Sequence, residues 1–533
     1  MKRNISHIIT VALVSVILTA CNKLDVAPTN DLTADVVYAT PLGYKQSLAK
    51  VYGAFALTGN AGVGSQDIPA EIIKDEGNSD FLRLYWNLQE LTTDEAAWSW
   101  IGDGGIQGLH EMNWGSSNSI ANGLYFRSFF QITLCNDFIR QSSDDNLSKR
   151  NISGADADNI KKFRAEARFL RAYQYWVLMD LYGNPPLVTE NDLIGSGVLP
   201  KQVGRAAVFT YIESELKALE TELAEPKSNE YGRVDKAAAW ALLSRMYLNA
   251  KVYTGTDKYT EAITYCNKII SAGFTLHPNY RNLTIADNHL NTDENIFTIA
   301  YDGTRTQTYG GTTFLMHGPA AVPAEISGSS GNWGGLRITQ NFVGLFADPS
   351  GNTDKRAQFY TTGQTLEMSD IYLSTAGYTS TKFRNKTRTG APAPHQDAAK
   401  DFSDIDFPLF RTGEVYLTYA EAVLRGGSGG SAATALGYVN ALRTRAYGNA
   451  SGNITSSDLT LNFILDERGR ELYYEAVRRT DLIRFEKFTT AGYLWAWKGG
   501  VKAGTAVADK FNVYPLPPLD LSSNPNLKQN AGY

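Results

Sequence analysis

Apolar side chains recur at three- and four-residue steps through most of the chain, the period of a helix with one face turned to a core. The clearest run is Ile160, Phe163, Ala167, Leu170, Val177 and Leu181. Asp158 is placed to cap its start, because a carboxylate accepts from the free N–H groups of a first turn. Gly183 and the pair Pro185-Pro186 end it, since glycine suits the residue after a helix and proline cannot continue one. The same period predicts helices over 42–57, 120–139, 207–223, 234–249, 259–272, 414–424, 432–445 and 463–485. Ala237, Ala241, Ala262, Ala420 and Ala422 sit where consecutive helices approach closely. The expected fold is mainly α, a tetratricopeptide-like helix-hairpin scaffold of about four helix pairs.

Two regions break the period. Residues 65–115 and 281–410 are rich in Gly, Ser, Thr and Asn, with short extended pieces such as 296–300. They predict loop-rich segments mounted on the scaffold, where binding residues concentrate. The tail Tyr514-Pro515-Leu516-Pro517-Pro518 is held extended by its prolines and is expected to pack back on the helices.

The start of the chain follows a different logic. Lys2 and Arg3 precede a short apolar run over 8–18. A membrane-spanning helix needs about 20 apolar residues, so the run fits a secretory signal instead. It ends in Leu18-Thr19-Ala20-Cys21, which reads as a lipidation box with Cys21 as the acylated residue. The alternative is an ordinary cleavage site with a chance cysteine. The expected organisation is a signal peptide over 1–20, a lipidated tether over 21–35 and a single domain over 36–533. Each buried acyl CH₂ contributes about 0.8 kcal/mol, so the lipid anchors the protein and no segment spans the membrane.

Composition narrows the function. The formal net charge of −5 excludes a general nucleic-acid binder, which wants basic patches. The 29 Tyr, 23 Phe and 9 Trp exceed what a core requires and leave aromatics for a surface. Signals for catalysis fail one by one. Gly426-Gly427-Ser428-Gly429-Gly430 has the letters of a hydrolase elbow, but a helix precedes it where a strand is needed. Asp94 and Glu95 are adjacent on an extended segment, face opposite sides and cannot flank one glycosidic bond, so they read as loop braces. There is no His-Glu-x-x-His, Cys-x-x-Cys or phosphate loop. The charges between Glu467 and Arg484 read as scaffold pairs, Glu467 with Arg470 and Glu475 with Arg478 or Arg479. Cys135 and Cys266 read as separate buried thiols, although export also permits a disulfide. The expectation is a protein with no catalytic residue, metal or cofactor.

One stretch stands out, Thr92-Thr93-Asp94-Glu95-Ala96-Ala97-Trp98-Ser99-Trp100-Ile101-Gly102-Asp103. On an extended segment Trp98 and Trp100 face the same side, whereas on a helix they sit roughly 200° apart. Paired flat apolar rings suit a sugar. They suit a core equally well.

The chain resembles the SusD/RagB family of outer-membrane nutrient-binding lipoproteins of Bacteroidetes. The likeness covers essentially the whole mature chain. It is carried by residues 163–172 (FRAEARFLRA), 180–186 (DLYGNPP), 232–238 (GRVDKAA), 407–411 (FPLFR) and 467–472 (ERGREL). The resemblance extends to the starch-binding founder of that family. The resemblance implies an aromatic arc of Trp98, Trp100, Tyr309 and Trp333 that stacks on starch or malto-oligosaccharides, with Arg83 and Asp103 hydrogen-bonding the hydroxyls. At Asp103 the founder has an asparagine, so the polar contact there is expected to differ. The resemblance also implies a cell-surface lipoprotein of the outer membrane that serves a TonB-dependent transporter. Some relatives hold calcium, but the loop 426–431 has no carboxylate to ligate one. A lid or docking subunit with a different or broader glucan ligand is the alternative implied.

Overall fold

The structure is a computed structural model that describes residues 33–192, 195 and 197–533. The signal segment, Cys21 and most of the tether lie outside the described residues. The fold is mainly helical. Its principal helices are α1 Pro41–Gly53, α2 Phe81–Glu90, α3 Ser119–Gln141, α4 Gly154–Tyr182, α5 Arg205–Leu219, α6 Lys236–Leu248 and α7 Tyr259–Ser271. Further along come α8 Gly311–His317, α9 Thr412–Leu424, α10 Ala432–Tyr447, α11 Leu461–Leu472 and α12 Arg478–Arg484.

Helix starts follow local chemistry. Thr40 caps α1 with Pro41 at its first position, and Ser431 caps α10. Asp235 opens α6 by accepting from Ala237 N at 2.8 Å and Ala238 N at 3.3 Å. Helix α4 departs from expectation at its start. It begins after Ser153, and Asp158 lies exposed inside it. Ala155, Asp156 and Ala157 favour an early start, with Asp156 placed against the positive end of the helix dipole. The stop is as expected, with Gly183 at φ 75°.

The helices stack in sequence: α3 on α4, α4 on α5, α6 on α7, α7 on α9, and α9 on both α10 and α11. Ala237, Ala241, Ala262, Ala420 and Ala422 are all buried in this stack, where a methyl group lets backbones approach. The main apolar cluster runs from Tyr38 to Leu516. The tail packs back as expected: Tyr514 N donates to Leu181 O at 2.7 Å, and its hydroxyl donates to Leu88 O at 2.8 Å. Cys135 and Cys266 are buried free thiols. Among the described residues no helix is long and apolar enough to cross a membrane.

Two expectations are corrected. The helix over 463–485 is two helices, broken where Tyr474 and Ala476 take φ 63° and 62°. The break is held by long-range partners. Tyr474 N donates to Glu95 Oε2 at 2.9 Å, and Glu475 turns to Arg411 (2.7 Å) and Lys382 (2.6 Å). Glu475 therefore does not pair with Arg478 or Arg479. Arg478 instead forks onto Asp94 at 2.9 and 2.8 Å, so Asp94 and Glu95 are braces as expected. Glu467 does keep Arg470, at 2.8 Å. The second correction lies within 65–115, which contains the wholly buried helix α2. Arg83, Asn87 and Glu90 follow helical steps there, a short signal masked by loop-rich flanks.

Short strands tie the loop regions together. Strands β1 Ala97–Trp98 and β3 Leu336–Arg337 pair antiparallel, Trp98 opposite Leu336. Strands β2 Asn295–Ile299, expected over 296–300, and β4 Phe407–Arg411 pair likewise.

Candidate binding site

Asp80 sets the site. Its Oδ1 caps α2 by accepting from Arg83 N at 2.9 Å and also accepts from Gly311 N at 2.8 Å, which joins the starts of α2 and α8. Burial pushes its carboxyl up to about 6, against the opposing pull of these N–H groups and Arg127. A side chain at position 310 would overlap Asp80, so only glycine fits that turn. Tyr309, immediately before it, is fixed through its backbone: N donates to Glu76 Oε2 at 3.2 Å, and O accepts from Arg83 Nη1 at 3.2 Å. Its ring is left 41% exposed.

The β1–β3 pair builds the opposite wall. Trp98 N donates to His110 Nε2 at 2.9 Å, while His110 Nδ1 lies 3.0 Å from Leu91 O. Burial and then Arg337 pull His110 down to about 4, so the ring is neutral, with the proton on Nδ1. Gly335 lies flat against the Trp98 indole, where a Cβ would overlap the ring. Trp98 is therefore 1% exposed, and Trp100 is 45% exposed. Whereas Trp100 presents an open face, Trp98 presents none in this arrangement. Its faces are taken by Gly335, Phe314 and Trp100, and its edge is used as well: Nε1 donates to Asp103 Oδ2 at 2.9 Å.

The structure brings all six sequence-predicted residues together. Ring centroids run from Trp100 to Trp98 (5.0 Å), Phe314 (5.3 Å), Trp333 (6.4 Å) and Tyr309 (6.4 Å). Successive rings turn by 45–56°, so the aromatic surface curves. Trp333 stacks on His317 at 5.0 Å and 8°, and the His317 ring is held between Gly331 O and Asp401 O. The Arg83 guanidinium lies 4.4 Å from the Phe314 centroid and 5.9 Å from that of Trp333. Its carboxylate neighbours are loose, Asp75 at 3.9 Å and Asp103 at 4.0 Å. Burial lowers the Arg83 pKa, while Asp75, Asp103 and Asp80 oppose that fall.

Trp100, Tyr309, Trp333, Arg83 and Asp103 line an open cleft of about 820 Å³. That volume suits a ligand of several rings. Sequence reasoning missed the inner supports Phe314, His317 and Gly335. The glycine pairs 310–311 and 334–335 are the signal for them, because each marks a place where backbone or ring must approach closely. Among the described residues no cluster of three or more His, Cys, Asp or Glu is arranged to hold a metal.

Comparison with known proteins identifies the family and the fold. A family model described as the SusD family matches residues 369–533. One described as starch-binding and associating with the outer membrane matches residues 86–248. The starch-binding protein SusD of Bacteroides thetaiotaomicron is 33% identical, with 99% of each chain covered. A SusD-like protein of Bacteroides ovatus is 26% identical over 61% of this chain and 59% of its own. Among solved structures, surface glycan-binding protein A from Bacteroides fluxus has a TM-score of 0.69 at 20% identity, covering 93% of this chain and 100% of that one. Surface glycan-binding protein A from Bacteroides thetaiotaomicron, in complex with laminarihexaose, has a TM-score of 0.67 at 18% identity, covering 91% and 98%. With a full-length relative at that level of identity and the same helical architecture, the chain belongs to the SusD family.

Proposed function

We propose that the protein binds an α-1,4-glucan, starch or a malto-oligosaccharide, along the cleft between Trp100 and Tyr309 and performs no chemistry on it. SusD-family proteins bind carbohydrate and are not catalysts. The observation that carries the choice of ligand is the curved run of rings that brings exposed Trp100 and Tyr309 and half-buried Trp333 to the cleft. Sugar rings present apolar C–H faces to aromatics, and a curved platform suits a helical glucan better than a flat one. Arg83 and Asp103 lie beside the rings and read hydroxyls through charge-assisted hydrogen bonds. Trp98 supports this surface from beneath. It holds Trp100 and orients Asp103 without touching sugar.

In this reading Cys21 is lipidated and anchors the protein at the cell surface of the outer membrane. The bound glucan passes to a TonB-dependent transporter. Both steps rest on the family and on the signal-like start. In this reading binding uses no calcium or other cofactor.

Calorimetric titration with maltoheptaose tests the ligand, with laminarihexaose as the competing glucan because a fold neighbour holds it. Binding of maltoheptaose in preference to laminarihexaose supports the proposal. Absence of heat at millimolar maltoheptaose overturns it. Trp333→Ala and Trp100→Ala should each weaken binding by about tenfold or more, roughly 1.4 kcal/mol, without loss of fold. A lid subunit that contacts its ligand only incidentally would keep growth on oligosaccharides in these variants.

A further inference from the structure

A second cleft, of about 470 Å³, opens in the loop-rich region and shares no lining residue with the aromatic one. Its wall holds Arg281, Arg384, Lys386 and Arg388 together with Tyr360 and Glu325. The chain as a whole is acidic, at −5, yet here four cations face one carboxylate. Arg388 is satisfied by Asp287, with Nε 2.9 Å from Oδ2. The other three are not. Among the described residues, no carboxylate lies within ion-pair distance of Arg281, Arg384 or Lys386.

Arg384 is a fixed part of this wall. Its Nε donates to Thr381 O at 2.7 Å and its Nη2 to Thr381 Oγ1 at 2.7 Å. That grip leaves Nη1 with no acceptor among the described residues. Burial, then the neighbouring Arg281, pull its pKa down to about 10. The exposed Arg281 guanidinium repels that of Arg384, and the repulsion falls when an anion enters. The planar fork of a guanidinium matches carboxylate, phosphate and sulfate oxygens. Beside it, Tyr360 supplies an apolar face, and Asn279 and Asn282 also line the cleft. Glu325 also lines the cleft, and its negative charge disfavours a second anion there.

We propose that this cleft binds an anionic sugar residue, one carrying a carboxylate, phosphate or sulfate, independently of the aromatic cleft. The reading does not rest on the α-glucan assignment. Titration with glucose 6-phosphate, against glucose and inorganic phosphate, tests it at low salt. Glucose 6-phosphate should bind about tenfold or more tighter than either, and the difference should shrink as salt screens the charges. Arg384→Ala should remove that preference. Arg281→Gln, at an exposed side chain whose loss leaves the fold untouched, should weaken it severalfold and guards against a misfolded Arg384 variant. Both variants should bind maltoheptaose as the parent does. Trp333→Ala should keep glucose 6-phosphate binding, which separates this site from the aromatic one. Equal affinity for glucose and glucose 6-phosphate overturns the proposal, as does loss of binding in Trp333→Ala. Inorganic phosphate binding as tightly as glucose 6-phosphate overturns the sugar part, and association only with phosphatidylglycerol vesicles overturns the whole.

Discussion

The belt around α11 and α12 and the aromatic cleft are both built from arginines and carboxylates, yet they use charge in opposite ways. In the belt Arg411 meets Glu294, Glu471 and Glu475 at 2.7–2.9 Å, with every partner close to solvent-free. Arg356 likewise joins Asp354, Glu467 and Glu471. Each charge there is spent on another. In the cleft Arg83 stands 3.9 and 4.0 Å from Asp75 and Asp103, whose side chains are 64% and 26% exposed. Pairs at that range contribute little stability and leave hydrogen-bonding capacity for a ligand. The contrast separates scaffold from site more sharply than residue type does.

Breaking the belt should have the largest effect. Arg411→Ala leaves three buried carboxylates without their shared cation, which costs about 3–5 kcal/mol. Urea unfolding should show the unfolding free energy fall by that amount, and a loss below about 1 kcal/mol would mean that water reaches the belt. Trp98→Ala probes the boundary between the regions. Removing a buried indole costs about 3–5 kcal/mol, and maltoheptaose binding should fall with it because Trp100 and Asp103 lose their support. A variant of unchanged stability that fails to bind would instead make Trp98 a direct contact.

Acid should move two kinds of buried carboxylate in opposite directions. For Glu471, burial alone would raise the pKa, but Arg445, Arg411 and Arg356 outweigh it and hold the group down to about 2. A folded pKa below the unfolded value of 4.5 gives stability that is present above 4.5 and lost as pH falls toward 2. For groups buried without a hydrogen-bonded cation the sign reverses. Burial raises Asp80, beside the cleft, to about 6, and Glu95, which braces the break between α11 and α12, to about 7 against Arg478. Groups whose folded pKa lies above the unfolded one give stability that is fully present below the unfolded pKa and lost as pH rises through 6 to 7. Denaturation midpoints at pH 7.5, 5.5 and 3 should therefore peak at 5.5. Glu95→Gln should flatten the alkaline side alone, and an unchanged slope in that variant would remove Glu95 from the account.

Much of the scaffold is legible in the sequence because one amphipathic helix packing on the next leaves a periodic record. The stop of α4 at Gly183 and the alanine seams are read directly. The break between α11 and α12 is not, because it is set by Arg411, Lys382 and Glu95, which lie 64, 93 and 379 residues from their partners in that turn. No local pattern records such contacts. The site behaves similarly. Spacing places Trp98 and Trp100 on one side of an extended segment, and resemblance adds Arg83, Asp103, Tyr309 and Trp333. Which indole faces solvent is decided by Gly335, more than two hundred residues away. The packing of Gly335 on Trp98 turns a symmetrical pair into one buried indole and one exposed one.

The smallest effect should come from Asp103→Asn, the position at which this chain carries a charge where its family's starch-binding founder has an amide. The Trp98 indole N–H needs only an acceptor at 2.9 Å, and the amide oxygen supplies one. The charge itself acts on Arg83 across 4.0 Å beside a solvent-exposed cleft, where such pairs contribute about 0–1 kcal/mol. Maltoheptaose affinity should thus change by less than about fivefold, and the salt dependence of binding should barely move. A loss beyond tenfold would mean that the sugar hydroxyl must donate to the second carboxylate oxygen of Asp103, a contact that the amide nitrogen, itself a donor, cannot replace. A gain of similar size would mean instead that Arg83, freed from its carboxylate, is the limiting hydrogen-bond donor.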